Sequence, residues 1–382
     1  MSVLRLDPVR LRGLARGGVG RTWGTFDLQL TLYALALIVL GLLMAFTNST
    51  GDPLAPGSLF VRGLMWLALA SIVYIAVSLI DYRWFQHFSP VLYVGALGLL
   101  VLTLAVGSGV GGVSRWVTIG PLQFQFSEVA KVVMAIVLAA WIAARAEKLR
   151  SPVTIAGAFV LGGPVLALVL IQPDLGTSLV IGAITFGVLF VSGASLRWLG
   201  LVVAAIIAAF PIIWSQVLRD YQKQRLVAFL DPEADPLGSG YQLLQSQIAV
   251  GTGGVFGKGL MNGTTGQEYL PVQATDFVFA RLGEELGLIG GVVALGFFAL
   301  LLWRVILIGW RSPDLFGLAF AAGIGSMLLF QLLVNVGMVL GIMPITGIPL
   351  PFVTHGGASL VSIAIGLAVL QSITMRRGGP SA

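Results

Sequence analysis

The sequence predicts an all-α fold, a polytopic membrane helix bundle of about ten transmembrane helices with one large extracytoplasmic loop. Three observations lead to this expectation. Hydrophobic residues make up 57% of the 382-residue chain and charged residues only 10%, whereas about a quarter of a soluble domain is charged. The mean hydropathy is +0.96. The apolar residues also gather in runs of about 17–25 residues, the length that crosses the hydrocarbon core as a helix.

Ten apolar runs predict the spans, and they divide the chain into parts. A basic arm (1–27) precedes the membrane domain (28–375), which contains one long non-spanning loop (217–285), and a short tail (376–382) follows. Long ordered loops are usually functional, so the loop is expected to carry the chemistry. The predicted spans lie near 28–46, 59–80, 88–106, 128–144, 153–171, 177–193, 197–216, 286–308, 316–340 and 357–375.

The uneven distribution of lysines and arginines predicts the orientation. The basic-rich side is cytoplasmic, so both termini are expected inside the cell and the long loop outside. The basic arm is suited to anionic membrane lipid, and nucleic acid is not an expected partner because no aromatic interleaving or binding fold accompanies the arm. One side carries the arm's arginines with Arg83, Arg145, Lys148, Arg150, Arg197, Arg304, Arg311, Arg376 and Arg377; the other carries Arg115, Arg219, Lys223, Arg225, Lys258 and Arg281.

The composition excludes several kinds of chemistry. The chain has no cysteine and two histidines, His87 and His355. Disulfides, thiolate catalysis and cysteine-built metal sites are therefore excluded. Two histidines are too few for a histidine-built metal centre, and no metal ligand is predicted from the residues.

The long loop contains a short amphipathic segment and a glycine-rich strip. Residues 241–250 place Tyr241, Leu244 and Ile248 on one helical face; ten residues are too few to cross, so a helix lying in the membrane interface is predicted. The strip GTGGVFGKGLMNGTTG (251–266) follows. Its amides could form an anion nest beside Lys258, but a flexible loop that tolerates positive φ angles is the slightly favoured interpretation.

A cluster of ionisable residues lies where the loop meets the eighth predicted span. Charge at the centre of a membrane helix costs roughly 2.5–3.5 kcal/mol per group on insertion scales. A cluster of such groups therefore indicates either ion pairing or chemistry at the membrane surface. Asp276 is followed by Phe277 and Phe279, and a partly desolvated carboxylate has the raised proton affinity of a general base. An amino-terminal helix cap is the equally weighted alternative.

Other charged residues near the spans have both structural and functional interpretations. Arg281 precedes Glu284 and Glu285 at helical spacing, so an intrahelical ion pair is favoured.

Gly283, Gly287 and Gly291 recur every four residues, a pattern typical of close helix packing.

Four further charged residues lie on the predicted outer side. Glu128 and Lys131 follow a potential Ser127 cap, and their intramembrane charge favours a polar cavity over simple pairing. Arg115 lies beside Trp116, which suits an interfacial position. For Asp174 a turn-forming role is the default.

Five motifs occur along the chain in a fixed order: RWVTIG…FQFSEVAK (115–131), QPDLGTS (172–178), YQLLQSQIAVGTGGVFGKG (241–259), LPVQATDFVFARLGEELG (270–287) and NVGMVLGIMPITGIPLPFVTHGGASL (335–360). Together they resemble the SEDS family (shape, elongation, division and sporulation), over about residues 28–375. The last motif is long and rigidly spaced, which makes the resemblance specific. Its GIPLPF run, with Pro349, is more similar to the RodA members than to the FtsW members.

The resemblance implies a peptidoglycan glycosyltransferase. Such an enzyme polymerises lipid II, a disaccharide-pentapeptide on undecaprenyl diphosphate, by inverting transfer that forms a β-1,4 linkage. It works on the outer face of the bacterial cytoplasmic membrane during cell elongation and rod-shape maintenance. The resemblance also implies a class B penicillin-binding protein as the cross-linking partner. The cofactor is unknown, and a divalent cation at the diphosphate is left open.

The resemblance assigns expected site residues. Val272 and Ala274 stand where the family commonly has glutamate and histidine, which leaves Asp276 as the expected catalytic base. The expected substrate-binding residues are Arg115, Glu128, Lys131, Asp174, Lys258 and Arg281. A lipid II flippase and a scaffold for the penicillin-binding protein remain the alternatives. A transporter would need polar groups near the midplane, whereas most of these residues are predicted at the outer boundary.

Overall fold

The computed structural model describes residues 25–49, 52–107, 115–119, 122–235, 238–263, 276–354 and 356–377. Most of the basic arm, His355 and the segment 264–275 lie outside the described residues. The helices are α1 Leu28–Thr47, α2 Leu59–Leu79, α3 Tyr82–His87, α4 Ser89–Val106, α5 Phe126–Ala143, α6 Pro152–Ile171, α7 Leu175–Val191, α8 Leu196–Ala208, α9 Phe210–Ile212, α10 Asp220–Leu230, α11 Ser239–Gly253, α12 Val278–Trp310, α13 Leu315–Val339 and α14 Gly357–Met375.

The all-α fold class is confirmed. Among the described residues, α1, α2, α4, α5, α6, α12, α13 and α14 are long and apolar enough to cross a membrane. The pair α8 and α9, with the π-helical turn Ile213–Val217, is bent by 42° and would make a ninth span, and α7 is a 17-residue apolar helix. Each of the ten predicted spans therefore coincides with an apolar helix or a bent pair.

One short element was not predicted. Strands β1 Val117–Ile119 and β2 Leu122–Phe124 form an antiparallel hairpin immediately before α5, with Val117 opposite Phe124. The hairpin places Arg115 and Gln125 next to the start of α5. Three-residue strands are too short for an alternating pattern to reveal them in the sequence.

Small residues pack the central helices against one another. Most residues of α5, α13 and α14 are buried, whereas only Ala70 and Ser78 of α2 are. A Cβ at Gly323 of α13 would meet the Cβ of Ala135 in α5 at 2.9 Å, and one at Gly366 of α14 would meet Ile324 at 2.9 Å. Such close approach is how membrane helices gain packing energy.

The bundle has two distinct ends. The loop-rich end contains Asn48, Gln125, Asp174, Asp276 and Leu340, which follow or precede the helices that meet there. The terminal end contains the first and last described residues, where the Thr25 hydroxyl donates to the Met375 carbonyl at 3.0 Å.

Paired charges hold the terminal end together. Arg304 donates to both carboxylate oxygens of Asp27 at 2.9 and 2.8 Å, while Asp27 also caps α1. The Tyr82 hydroxyl donates to Asp314 at 2.6 Å, and burial together with this hydrogen bond raises the pKa of Tyr82. These contacts join the beginning of α1 to the end of α12 and the beginning of α3 to the beginning of α13.

The helix predicted over residues 241–250 is present as α11, but it is longer than predicted; its position in the membrane interface stays a prediction. Its buried face carries Leu243, Ser246 and Ala249, and the Ser246 hydroxyl donates to the Val339 carbonyl at 3.0 Å. Leu244 and Ile248, from the predicted apolar face, are exposed. The helix therefore packs on the protein through Leu243 and its small residues, and Leu244 and Ile248 point outward.

The end of α11 provides a direct test of this packing. A Cβ at Gly253 would collide with the carbonyl oxygen of Gly283, whereas a Cβ at Gly251 meets nothing within 4 Å. We expect Gly253→Ala to lower the free energy of unfolding by about 1–3 kcal/mol, as overpacking does. Gly251→Ala, in the same helix, should be neutral or slightly stabilising. Thermal unfolding of both variants in detergent measures the difference, and equal melting temperatures would contradict the packing.

Candidate active site at the loop-rich end

Helix α12 is broken at its amino-terminal end. It begins at Val278, eight residues before the predicted span, and Gly287 within it has φ 66° and ψ −163°. The predicted close packing is confirmed at Gly283, where a Cβ would meet Val250 of α11 at 3.3 Å, and at Gly287, where a Cβ would collide with the backbone of Val255 and Gly257. The ionisable cluster lies on the short helical segment before the break, in agreement with the helical spacing of Arg281, Glu284 and Glu285.

The glycine-rich strip is docked against this break. The amides of Lys258 and Gly259 donate to the carbonyls of Glu284 and Glu285 at 2.9 and 3.0 Å, and the amide of Leu288 donates to the Gly254 carbonyl at 2.9 Å. The strip thus satisfies backbone groups that the break leaves without helical partners. The predicted positive φ angles are confirmed at Gly254, Gly257, Gly259 and Met261. Residues 254–259 are nevertheless docked on α12, and the amides of Lys258 and Gly259 are used there, so these two amides do not form the anion nest.

The ionisable cluster is buried and paired. Arg281 donates to Glu285 at 2.8 Å, which confirms the predicted intrahelical pair, and also to the Asn48 side chain at 2.7 Å and the Thr47 carbonyl at 2.6 Å. Glu284 pairs instead with Lys258 at 2.7 Å. Arg281 is 2% exposed and both glutamates are 0% exposed. Arg281 therefore joins α12 to the end of α1, and substrate cannot reach it without rearrangement.

Asp276 lies immediately before α12 and is only partly buried. Its carbonyl accepts from the Asn335 side-chain amide at 3.0 Å, and the same amide donates to the Ile348 carbonyl at 2.8 Å. The cap position of α12 is occupied by Phe277, one residue after Asp276, and no side chain caps the helix from that position; the cap interpretation of Asp276 stays a prediction. Asn335 fixes the backbone of Asp276 to the segment that follows α13.

Arg225 is a candidate site residue that the sequence interpretation missed. An Arg225 guanidinium nitrogen and an Asp276 carboxylate oxygen lie 3.3 and 3.5 Å from the position that a Cβ at Gly347 would occupy. Arg225 belongs to α10, whose Tyr221 hydroxyl donates to the Pro173 carbonyl at 2.6 Å. The sequence offered one weak signal, a basic residue in a short helix of the long loop.

Arg115 and Asp174 organise the turn between α6 and α7. Arg115 donates to the carbonyls of Gln172, at 3.1 Å, and Pro173, and to the Tyr221 hydroxyl at 3.2 Å. Asp174 caps α7 by accepting from the Thr177 amide at 3.1 Å, which confirms its turn-forming interpretation. The Gln125 amide donates to Asp174 at 2.9 Å. These two predicted substrate-binding residues therefore have structural partners.

Glu128 and Lys131 form a buried ion pair in α5, with an N–O distance of 2.8 Å and exposures of 3% and 1%. The pairing interpretation is confirmed. The predicted Ser127 cap is wrong, because α5 begins at Phe126 after Gln125 and no side chain caps it.

Gln331 lies at the same depth in the bundle as the Glu128–Lys131 pair, and the sequence interpretation did not identify it. Helices α5 and α13 are antiparallel and meet at Ala135 and Gly323. Gln331 and Ser127 each lie eight residues from that contact towards the loop-rich end, or about 12 Å at 1.5 Å per residue. Among the described residues, both amide atoms of Gln331, one oxygen of Glu128 and the Ser127 hydroxyl have no hydrogen-bond partner. Such buried groups are costly in an apolar environment.

The described residues do not support a protein-built metal site. They include no group of three or more histidine, aspartate or glutamate side chains that could hold an ion. Two cavities of about 560 and 470 Å³ lie at the terminal end, far from Asp276.

The arrangement divides the charged residues into two kinds. Lys131, Arg281, Glu128, Glu284 and Glu285 are buried in ion pairs. Asp276 and Arg225 are partly exposed, and the Lys258 side chain is 29% exposed. A carboxylate with cations nearby can accept a proton while negative charge develops on a leaving group.

The Glu128–Lys131 pair can be tested without any assumption about function. We expect Lys131→Met to lower the free energy of unfolding by about 3–5 kcal/mol, because it leaves Glu128 buried without its counter-ion. The double variant Glu128→Gln/Lys131→Met should recover most of that loss. Thermal unfolding in detergent measures both, and a double variant as unstable as Lys131→Met would contradict direct pairing.

The amino-acid sequence is similar to one protein family and to named members of it. Residues 28–378 match the family model FTSW_RODA_SPOVE, cell cycle protein. The chain is 38% identical over 352 residues to the peptidoglycan glycosyltransferase MrdB of Escherichia coli (strain K12), covering 92% of this chain and 94% of that protein. It is 37% identical over 361 residues to stage V sporulation protein E of Bacillus subtilis (strain 168), covering 91% and 96%.

Solved structures show the same relationship. A chain from a peptidoglycan synthase complex that coordinates polymerization and crosslinking matches with a TM-score of 0.79 and 32% identity, covering 93% of this chain and 99% of that one. The rod shape determining protein RodA of Thermus thermophilus matches with a TM-score of 0.68 and 29% identity, covering 92% and 98%. Sequence and fold agree over nearly the whole length, and the chain belongs to the FtsW/RodA/SpoVE family of cell cycle proteins, the SEDS family that its motifs resemble.

Proposed function

We propose that the protein is a peptidoglycan glycosyltransferase that polymerises lipid II, with Asp276 as its catalytic base. The names of its relatives support the activity. The single structural observation that carries the assignment of the base is a partly exposed carboxylate whose backbone is fixed by Asn335, beside Arg225. The similarity to RodA supports a role in cell elongation.

The protein is a multi-pass protein of the bacterial inner membrane. The distribution of basic residues supports cytoplasmic termini. With that orientation the terminal end faces the cytoplasm and the loop-rich end faces outward. Asp276 then lies at the outer leaflet, on the side of the membrane where glycan strands are extended.

The transfer requires one base. The acceptor is a sugar hydroxyl, which is a poor nucleophile until its proton is removed during attack. The donor sugar is α-linked to diphosphate and the product is β-linked, so a single displacement with inversion accounts for the stereochemistry. In that step the acceptor oxygen bonds to the donor C1 carbon, the bond from C1 to the diphosphate oxygen breaks, and Asp276 takes the proton.

Arg225 is the proposed partner of the departing diphosphate. Arg281 and Lys131 are buried in ion pairs, and Arg115 binds two backbone carbonyls. Arg225 is partly exposed beside Asp276. Lys258 ranks second, since reaching a phosphate would require it to leave Glu284. Fixed cations that meet developing charge act without reorganisation during the reaction.

The distribution of buried polar residues favours polymerisation over lipid flipping. In α5, every residue after Lys131 up to Ala143 is apolar. The Glu128–Lys131 pair and Gln331 therefore lie in the outer half of the bundle, under the proposed orientation. A flippase would need a polar route that continues past this level.

A class B penicillin-binding protein is the proposed partner. The similar peptidoglycan synthase complex coordinates polymerization with crosslinking, and crosslinking is the reaction of the transpeptidase. The glycan product of this chain is the substrate of that second reaction, which gives the two activities a reason to be held together.

The role of Asp276 can be tested directly. We expect Asp276→Asn to reduce glycan polymerisation about 10²–10⁴-fold, the range that general-base catalysis supplies. The measurement is gel analysis of glycan product from purified protein, its transpeptidase partner and lipid II. Asp220→Asn is the matched control, because the Asp220 side chain is 96% exposed on the same loop. Polymer from Asp276→Asn at the wild-type rate, in folded protein that retains its partner, would refute the assignment.

Arg225 gives a second, independent test. We expect Arg225→Gln to reduce the rate at saturating lipid II about 10²–10³-fold, as removal of a fixed charge-stabilising donor does. Lys223→Gln, on the same helix and with the same loss of charge, is the control. If both variants lose activity equally, the effect reflects the general charge of α10 and the proposed contact with diphosphate is wrong.

A further inference from the structure

The larger of the two cavities, about 560 Å³, lies at the turn between α7 and α8 at the terminal end. Its volume is within the roughly 300–1,000 Å³ range of small-molecule sites. The proposed glycan transfer uses the opposite end of the bundle, so this cavity has no part in it. Arg150, from the connection between α5 and α6, and Arg197 of α8 both line the cavity.

Three features give the cavity a positive charge. Arg150 and Arg197 both line it, and no acidic residue does. Neither arginine forms an ion pair with a described residue, in contrast to Arg304 and Arg376 at the same end. Ser195 precedes the 13-residue helix α8 without a side-chain cap hydrogen bond, so the partial positive charge of the helix end also faces this turn. Glu147 is nearby in sequence but is not part of the lining.

The rim of the cavity is apolar. Phe190 and Leu196, which line it, are 62% and 66% exposed, and the adjacent Trp198 is 42% exposed. They lie at the ends of α7 and α8, where a membrane helix meets the headgroup region, a level at which tryptophan is enriched. A soluble anion gains nothing from these side chains, whereas a phospholipid places its phosphate beside cations and its acyl chains beside such a surface.

We propose that this cavity binds the phosphodiester headgroup of an anionic phospholipid from the leaflet at the terminal end. The guanidiniums of Arg150 and Arg197 bind the phosphate, a group that arginine recognises with paired donors. Phe190, Leu196 and Trp198 contact the first methylenes of the acyl chains. Basic cavities between helices on the cytoplasmic side are a recognised type of lipid site. The site would join the α5–α6 connection to the α7–α8 turn.

The test measures lipid binding to the full-length protein in zwitterionic detergent. Phosphatidylglycerol is titrated, and the retained lipid is counted by native mass spectrometry. We expect Arg150→Gln/Arg197→Gln to raise the apparent Kd about 30-fold, equivalent to about 2 kcal/mol. The control, Lys148→Gln/Arg311→Gln, removes the same charge at the same end outside the cavity and should change the Kd less than about two-fold. Melting temperatures verify that both variants fold.

Three outcomes would overturn the proposal. Equal weakening by both double variants would indicate general attraction to the basic end, including the arm. Wild-type affinity in Arg150→Gln/Arg197→Gln would show that the lipid binds elsewhere. Displacement of phosphatidylglycerol by inorganic phosphate at comparable concentration would identify a site for free phosphate. Retention of lipid against inorganic phosphate, together with selective loss in the cavity variant, supports the lipid site.

Discussion

The loop-rich end depends on the contact between the glycine strip and the break in α12. Because Gly287 interrupts the helix, the carbonyls of Glu284 and Glu285 and the amide of Leu288 need partners from elsewhere. Residues 254–259 supply them through the backbone, and glycine allows that approach, since a Cβ at Gly257 would collide with Glu285. The same contact places Lys258 on Glu284. The docked strip therefore supplies the counter-ion that the buried Glu284 requires in a membrane domain.

The charged residues of the loop-rich end have two different roles, one structural and one proposed to be catalytic. Arg281, held by Glu285, Asn48 and Thr47, connects α12 to α1 and fixes the start of α12. Asp276 precedes that start, and Asn335 fixes its backbone from the opposite side. A base must be held in place before it can act during attack, because small misplacements slow a reaction strongly. The buried pairs provide rigidity, and the partly exposed Asp276 and Arg225 are the groups proposed to meet substrate.

Local and compositional features could be predicted from the sequence. The spans follow from the length of apolar runs, and the Arg281–Glu285 and Glu128–Lys131 pairs follow from helical spacing. The break at Gly287 could not be predicted, because Gly283, Gly287 and Gly291 also fit a continuous packing stripe. The docking of the strip could not be predicted either, since it consists of backbone hydrogen bonds that leave no mark on side-chain pattern. Gln331 and Arg225 acquire their neighbours from segments far away in sequence.

Hydrogen–deuterium exchange of the amides at the break tests the docking most directly. The peptides to compare are those that contain Lys258 with Gly259 and Leu288 with Ile289, in wild type and in Gly257→Ala. The docking predicts slow exchange in both wild-type peptides and a joint loss of protection in the variant, because each segment supplies hydrogen bonds to the other. Fast exchange in the wild-type strip, or unchanged protection of Leu288 and Ile289 in the variant, would contradict it.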